Sequence, residues 1–563
     1  MSNESSIYDV LIVGAGPAGA LSANLLGKYG VKVLLVDKED DIVKTPRAVG
    51  LCNEGSRIIN AAGLMESFEP TLLDAAQVQF RCASLEPFFS FDCAEEVNGF
   101  PILRTLYQPA LEQCMRDGLD RYDNVDFWKS TECLQIEDRG NEVLCRVVTN
   151  GDEYRTISCR YVLGCDGGRS NIRKMMNVGF TGHTYAQDWL ILDVENDPSV
   201  HTHNQHKEGK TNDRDLVYFM CDPNRPGVTL PTPNNTRRWE FVVKNDESNE
   251  YISSDAAVKE LLKPWGDVSE MNVIRKTIYT FHARIAKKFR VGNVFLLGDA
   301  AHLTPPFAGQ GLMAGLRDSY NISWKLAQVL KGTLSDRVLD TYHSERRPQA
   351  VIIVNTARAM GMLVLPQSKW FSKVRNVVFR TLNRISGRSD VASIKKTPNS
   401  ILGMRSLMLG LGDVSELTVG YEFLQSIVET RFVAKTGGVD KQSSLIDDCL
   451  SGNFAVISYE KSAQSNLSDD TKSRLSEIDS EYCVIKGGHD LSRVEEISRK
   501  TGETVVWDVD GYYRDKFDSG KKCVLIRPDK MIVVCESPER FDSAVGKYLS
   551  SLEVGQKIKL SLA

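Results

Sequence analysis

The chain has 563 residues, too many for one hydrophobic core, and at ~150 residues per domain it implies about three or four units. A formal net charge of −5 leaves no basic footprint for nucleic acid, and no apolar run approaches the ~18 residues of a membrane span. The thirteen cysteines include no CxxC pair and no Cys/His cluster with zinc spacing, and the polar N-terminus carries no signal pattern, so they read as reduced thiols of a cytoplasmic protein.

In chain order, residues 8–13 form a short apolar strand that runs into Gly14-Ala15-Gly16-Pro17-Ala18-Gly19 and a helix with Leu21, Leu25 and Leu26 on its apolar side. A second strand, 31–36, ends at Asp37. Together these make the dinucleotide-binding βαβ fingerprint: Gly14 permits the turn, Gly16 the approach of a pyrophosphate, Gly19 helix–strand packing, and Asp37 stands where an adenosine ribose would bind. Arg47 follows in a loop, placed over a phosphate or flavin edge or simply solvated. Residues 53–68 read as helical, and 76–93 alternate as strands of another sheet, with Val78, Phe80, Phe88, Phe89 and Phe91 as the apolar set. A helix is expected over 108–119, with Gln108 near its start and free to face a ligand.

Residues 125–165 read as short strands ending in Asp166-Gly167-Gly168-Arg169-Ser170 and a further helix. An aspartate at a strand's carboxyl end, with an arginine at the helix start, suits phosphate or ribose. Residues 180–285 carry strand patterns at 189–194, 216–221, 238–243 and 272–282, with a polar loop at 198–215, and read as a mostly antiparallel sheet.

The organising stretch is 292–330. A buried strand, 294–297, ends at Gly298-Asp299; Pro305 and Pro306 stiffen a loop; Gly309-Gln310-Gly311 opens a helix whose Leu312, Leu316, Tyr320 and Trp324 share one buried face. The unpaired N–H groups and positive dipole end of such a helix suit an anionic ligand atom, and Asp299 is placed to accept from ligand hydroxyls. A helix over 335–359 follows, then a basic, partly apolar stretch at 369–388 that either lies on a membrane surface or packs one face and solvates the other. From about residue 420, strands near 456, 505 and 523, helices at 490–501 and 538–551 and a polar loop at 461–475 suggest a small β/α unit.

Three motifs in fixed order, Gly14–Gly19 with Asp37, Asp166-Gly167 and Gly298-Asp299, resemble the single-component flavoprotein aromatic hydroxylases of the p-hydroxybenzoate hydroxylase type (group A). The segments 279–284 and 309–318 resemble most the branch with 3-(3-hydroxyphenyl)propionate hydroxylase and the phenol hydroxylases. The resemblance implies an α/β fold: a GR2-type Rossmann-like FAD-binding domain in three parts (1–72, 101–178, 285–360), an inserted mostly antiparallel substrate sheet (73–100 and 179–284), a helical connection (361–419) and a C-terminal thioredoxin-like α/β domain (420–563) that here lacks CxxC.

It also implies FAD, with NADH or NADPH docking transiently and O2 as co-substrate. Gly14, Gly16, Pro17, Ala18 and Gly19 would hold pyrophosphate, and Asp37 with Lys38 the adenosine. Arg47 and Gln108 would contact FAD, Asp166 and Arg169 would aid FAD binding and reductant access, and Gly298-Asp299 would meet the ribityl or pyrophosphate part. The 309–311 backbone with Leu312 would face the flavin pyrimidine, and the Pro306 carbonyl the reacting ring. The implied reaction hydroxylates a phenolic or related ring through a flavin C4a-hydroperoxide, shielded from water. Arg238 is placed like the carboxylate-binding arginine of p-hydroxybenzoate hydroxylase, but an ion pair with Glu240 or Asp193 accounts for it equally. Tyr185, Trp189 and one of Tyr218 or Phe219 would line an aromatic pocket. The expected partners are a small aromatic substrate and, as in relatives, a second copy of the chain. Two other readings remain: an FAD oxidase or reductase without hydroxylation, and a noncatalytic flavin-binding sensor or scaffold.

Overall fold

The computed structural model describes residues 8–93, 95–197, 215–365, 368–385, 417, 419, 422, 423, 425–433, 439–487, 503–508 and 510–553. The expected helix at 490–501 and nearly all of the polar loop at 198–215 lie outside them.

The apolar run Tyr8–Val13 becomes a central strand because both its faces are covered, as a parallel sheet requires. It lies between Val33–Val36 and the long strand Glu153–Gly164, with Val125–Trp128 and Val294–Leu296 continuing the parallel layer on either side. The first half of Glu153–Gly164 instead pairs antiparallel with Val143–Thr149, which pairs with Thr131–Asp138. Tyr8–Val13 and Glu153–Gly164 end side by side, so Gly14 and Cys165 leave the sheet together: a Cβ at Gly14, where φ is +104°, would stand 2.5 Å from the Cys165 carbonyl oxygen.

The second sheet has eight strands and is antiparallel except where Leu216–Met220 runs beside Gln77–Arg81. The sequence pattern assigned no element to the strand Gly227–Thr232, which lies among Pro226, Pro231 and Pro233, nor to two short helices, Asn249–Ile252 and Asp255–Leu262. The other edge of this sheet is the two-residue strand His302–Leu303, contributed by the organising stretch. That short pairing ties the nucleotide-type sheet to the aromatic one just before the Pro305-Pro306 loop.

Helix Gly311–Leu330 is buried over nearly its whole circumference from Met313 to Val329, not along one face. It rests on helix Pro17–Lys28 on one side and carries the C-terminal unit on the other, where Trp324 meets Phe454 edge-on at 5.5 Å and Tyr320 donates to the Pro528 carbonyl at 3.0 Å. Helix Asp340–Val364 follows a 3₁₀ turn at Asp336–Leu339 and runs five residues past the expected end. Helix Lys369–Ile385 packs Phe379 against Phe88 and Phe89. Its other side is exposed, as a helix that packs one face and solvates the other requires, and mixes Trp370, Val374 and Val377 with Lys369, Lys373 and Arg380.

In the C-terminal unit the parallel neighbours Ala455–Tyr459 and Glu481–Gly487 are continued by the antiparallel strands Cys523–Ile526 and Ile532–Glu536, with helix Pro538–Ser551 packed against them. The expected loop at 461–475 holds the start of a helix, Asp469–Glu477, capped by the Ser468 hydroxyl on the Thr471 N–H. Ser followed by two aspartates is a helix-start signal that the polar composition masked.

Candidate active site

Two helix starts converge on one point. Helix Pro17–Lys28 begins at Gly16 and helix Gly311–Leu330 at Gln310, and neither has a side-chain cap on its first N–H groups. They touch through small residues: Gly298 and Gly315 both lie against Ala18, and the Ser319 hydroxyl donates to the Ala18 carbonyl at 2.8 Å. A Cβ at Gly19 would fall 1.8 Å from the Gly14 carbonyl oxygen, so this helix–strand contact tolerates only glycine. At Gly16, Gly309 and Gly311 a Cβ would meet nothing within 4 Å, and Gly309 holds a left-handed φ of +62°.

Buried polar groups fix this geometry. The Asp318 carboxylate accepts the Gly298 N–H at 3.0 Å, His302 Nε2 at 2.7 Å and Arg346 Nε at 2.8 Å. Burial would raise its carboxyl, but His302 and Arg346 outweigh that and hold it below the usual carboxylate range. Arg173 joins the second motif to the third by donating to the carbonyls of Ala300 (2.8 Å) and Gly168 (3.0 Å). Arg317 holds the Gln310 side chain at 3.0 Å and pairs with Glu54. Asp318, Arg173 and Arg317 received no role from the sequence, although 317 and 318 fall in the segment that carries the family resemblance, because nothing local distinguishes a buried charge on a helix from a solvated one.

The residues singled out from sequence stand as follows. Asp37 accepts the N–H groups of Ala15 (2.6 Å) and Glu39 (2.9 Å), locking the glycine turn to the second strand. Lys38 is solvated and lies near Glu39. The Gln108 amide oxygen accepts the N–H groups of Arg47 (2.9 Å) and Ala48 (2.7 Å), so its side chain holds the 47–48 loop. Asp166 caps the next helix through the Asn171 and Ile172 N–H groups, while its Oδ1 is buried with no partner; Arg169 is exposed. The Asp299 carboxylate accepts no hydrogen bond from the described residues, and burial raises it above the usual range against the pull of His302 and Arg47.

Beside this point lies a narrow apolar cleft, with about 20 Å³ of free volume, walled by Trp189, Phe219, Val228, Pro306, Phe307 and Val364, with Glu240 among them. Trp189 meets Phe307 and Phe281 at 5.7 Å each. Of the adjacent pair, Phe219 faces the cleft and Tyr218 the opposite side of the sheet, against Trp239 and Trp265. The side chain of Tyr185 lies outside the described residues. Arg238 does not reach into the cleft: it forms a bidentate pair with Asp193 and donates to the carbonyls of Pro46 and Arg47.

Comparison with known proteins identifies the family and the fold. A family model described as an FAD binding domain matches residues 7–357, and one described as the HcaD C-terminal domain matches 427–551. The chain is 32% identical over 538 residues to a 3-(3-hydroxy-phenyl)propionate/3-hydroxycinnamic acid hydroxylase of Burkholderia cenocepacia, 94% of each being covered. It is 29% identical over 546 residues to one of Escherichia coli, covering 96% of this chain and 94% of that one. Among solved structures, the flavin-dependent monooxygenase PieE, in complex with FAD and substrate, superposes with a TM-score of 0.74 at 20% identity over 97% of this chain and 99% of its own. Aklavinone-11 hydroxylase with FAD and aklavinone gives 0.70 at 19%, over 98% and 100%. The residues here fit such a dinucleotide: three glycines open onto free space, two helix starts are uncapped, and Asp299 and the Asp166 Oδ1 lack a donor among the described residues.

Proposed function

The chain belongs to the FAD binding domain family and is an FAD-dependent aromatic monooxygenase, and we propose that its substrate is a phenol or hydroxyphenyl acid that enters the cleft beside Pro306. One observation carries this reading. The loop that forms one wall of the apolar cleft at Pro306 and Phe307 runs directly into the uncapped helix start at Gly311, four residues after Phe307. A ring in the cleft and a flat group at the helix start would therefore share one rigid support.

FAD, when bound, accepts hydride from NADH or NADPH and activates O2 for transfer of one oxygen atom. The residues of the chain bind, orient and shield. Gly16 admits the pyrophosphate to the first N–H groups of helix Pro17–Lys28. Pro17 and Ala18 shape that turn, and Asp37 and Lys38 would flank the adenosine of the bound cofactor. Asp299 would accept from ligand hydroxyls, with Gly298 held beside it by Asp318; Asp166 and Arg169 stand at the neighbouring strand end. The N–H groups of Gly311 and Leu312, with the helix dipole, would stabilise negative charge that develops on the bound flavin. Gln108 acts through the loop it holds, keeping Arg47 in place, and Arg317 holds Gln310. Trp189, Phe219 and Phe307 exclude water from the reacting ring. None of the thirteen cysteines is in a disulfide, which suits a cytoplasmic enzyme.

The test is NADH and NADPH oxidation in air by the purified holoprotein, with and without a panel of phenols and hydroxyphenylpropionates, under ¹⁸O2 with mass spectrometry. A compound that accelerates oxidation and gains one labelled oxygen atom is the expected outcome. Oxidation that gives only peroxide across the panel would sink the hydroxylase reading.

A further inference from the structure

Glu240 stands where a carboxyl has no ordinary reason to be. On strand Thr236–Val242 it is paired across to Ile191 on one side and Val228 on the other, and Val228 is paired in turn to Phe219. Phe80, next in that row, stacks on Phe219 at 4.8 Å. Glu240 is thus the one acid in an apolar cross-strand row at the middle of a sheet, 7% exposed and lining the cleft.

Its nearest cation cannot serve it. Arg238, two residues back on the same face, spends its donors on Asp193, Pro46 and Arg47. Arg275 is likewise held by Asp193 and Pro46. Among the described residues nothing donates a hydrogen bond to the Glu240 carboxyl. A buried carboxylate without a donor is costly, and an incoming donor removes the cost.

Resting on the hydroxylase reading above, we propose that Glu240 is the ligand and proton acceptor for the ring hydroxyl of the substrate. Its carboxylate takes the hydrogen bond of the phenolic O–H. The proton then moves to the carboxylate: the phenol O–H bond breaks, a carboxyl O–H bond forms, and the electron pair stays on the phenolic oxygen, from which it enriches the ring carbons ortho and para to it. The proton returns to the product oxygen and restores the carboxylate. Burial raises the Glu240 carboxyl above the usual range, against Arg238 and Arg275 and with Asp193, which makes its anion a better base. The same charge repels an anionic substituent, so an acid group on the substrate lies away from this end of the cleft.

The experiment titrates the holoenzyme's visible flavin spectrum with 3-(3-hydroxyphenyl)propionate and with 3-phenylpropionate, which differ only in the hydroxyl. Wild type should favour the phenol by about 10- to 100-fold. Glu240→Leu should reduce that preference to within about threefold. Glu240→Gln, whose amide oxygen still accepts a hydrogen bond, should keep most of the binding but lose about 100-fold or more in hydroxylation rate. An unchanged flavin spectrum shows that each variant is folded. A wild type indifferent to the hydroxyl, or a Glu240→Leu variant that keeps the preference, overturns the proposal. A wild type that prefers the phenol and incorporates no oxygen sinks the hydroxylase reading alone, because the binding preference and its loss in Glu240→Leu are read without turnover.

Discussion

The Arg238 guanidinium closes on the Asp193 carboxylate through two N–H···O bonds of 2.7 and 3.0 Å, and with its remaining donors it grips the carbonyls of Pro46 and Arg47. The aromatic sheet therefore holds the loop that also carries Arg47, while Gln108 holds the same loop from the nucleotide side.

Replacing Arg238 by Met should therefore act on stability and flavin retention rather than on substrate charge. Asp193 keeps Arg275 at 3.2 Å, so the loss should be about 3 kcal/mol, near the low end for a broken buried pair. Denaturant unfolding and FAD titration measure it. A variant of unchanged stability that loses only its discrimination for carboxylated substrates would restore Arg238 as a substrate ligand.

Glu240 carries a stability cost that its removal should reveal. Its folded carboxyl sits above the unfolded value of ~4.3, so the folded state binds the extra proton and stability falls as pH rises through that window. The facing charges are Arg238, Arg275 and Asp193. Glu240→Gln should match wild type near pH 4 and exceed it by about 1–2 kcal/mol at pH 8, seen as a Tm a few degrees higher. Equal Tm values at both pH values would mean that the carboxylate already has a partner.

Gly16 and Gly19 should separate by phenotype. A Cβ at Gly16 meets no protein atom, so Gly16→Ala should fold with a stability change under about 1 kcal/mol while weakening FAD at least about tenfold. A Cβ at Gly19 collides with the Gly14 carbonyl, so Gly19→Ala should lower the Tm of the FAD-free protein itself. Equal effects of the two on the FAD-free protein would refute the assignment of open space at Gly16 to a ligand.

The C-terminal unit is attached by charges that titrate. Glu422 lies against Glu54, with Arg57 and Arg317 nearby; burial and then Glu54 push its carboxyl up to about 8 against the two arginines. A folded value above the unfolded one means stability lost as pH climbs from ~4.3 to that point, by at most about 1.4 kcal/mol per pH unit. Glu422→Gln should flatten this slope in unfolding measured from pH 5 to 8. A variant that keeps the wild-type slope would place the titration elsewhere.

The glycine fingerprint, Asp37 and the organising helix were legible because each is a local pattern: a strand, a turn that demands glycine and an apolar spacing within a few tens of residues. The choice between Tyr218 and Phe219 was not, since adjacent strand residues differ only in which face the sheet buries, and both faces here are aromatic. The helix Asp469–Glu477 was hidden by its polar composition, although Ser468 caps it.

By itself the sequence determined that the chain builds a dinucleotide site at the ends of parallel strands, because those motifs are fulfilled by backbone conformation within one βαβ unit. Only the tertiary structure decided which charged residues are spent on the scaffold and which face the cleft. Arg238 and Glu240 are two residues apart on one strand and read alike; Asp193 and the Pro46 carbonyl, distant in the chain, saturate the first and leave the second without a donor. Pairing across a sheet is set by strand order and register, which no local pattern encodes.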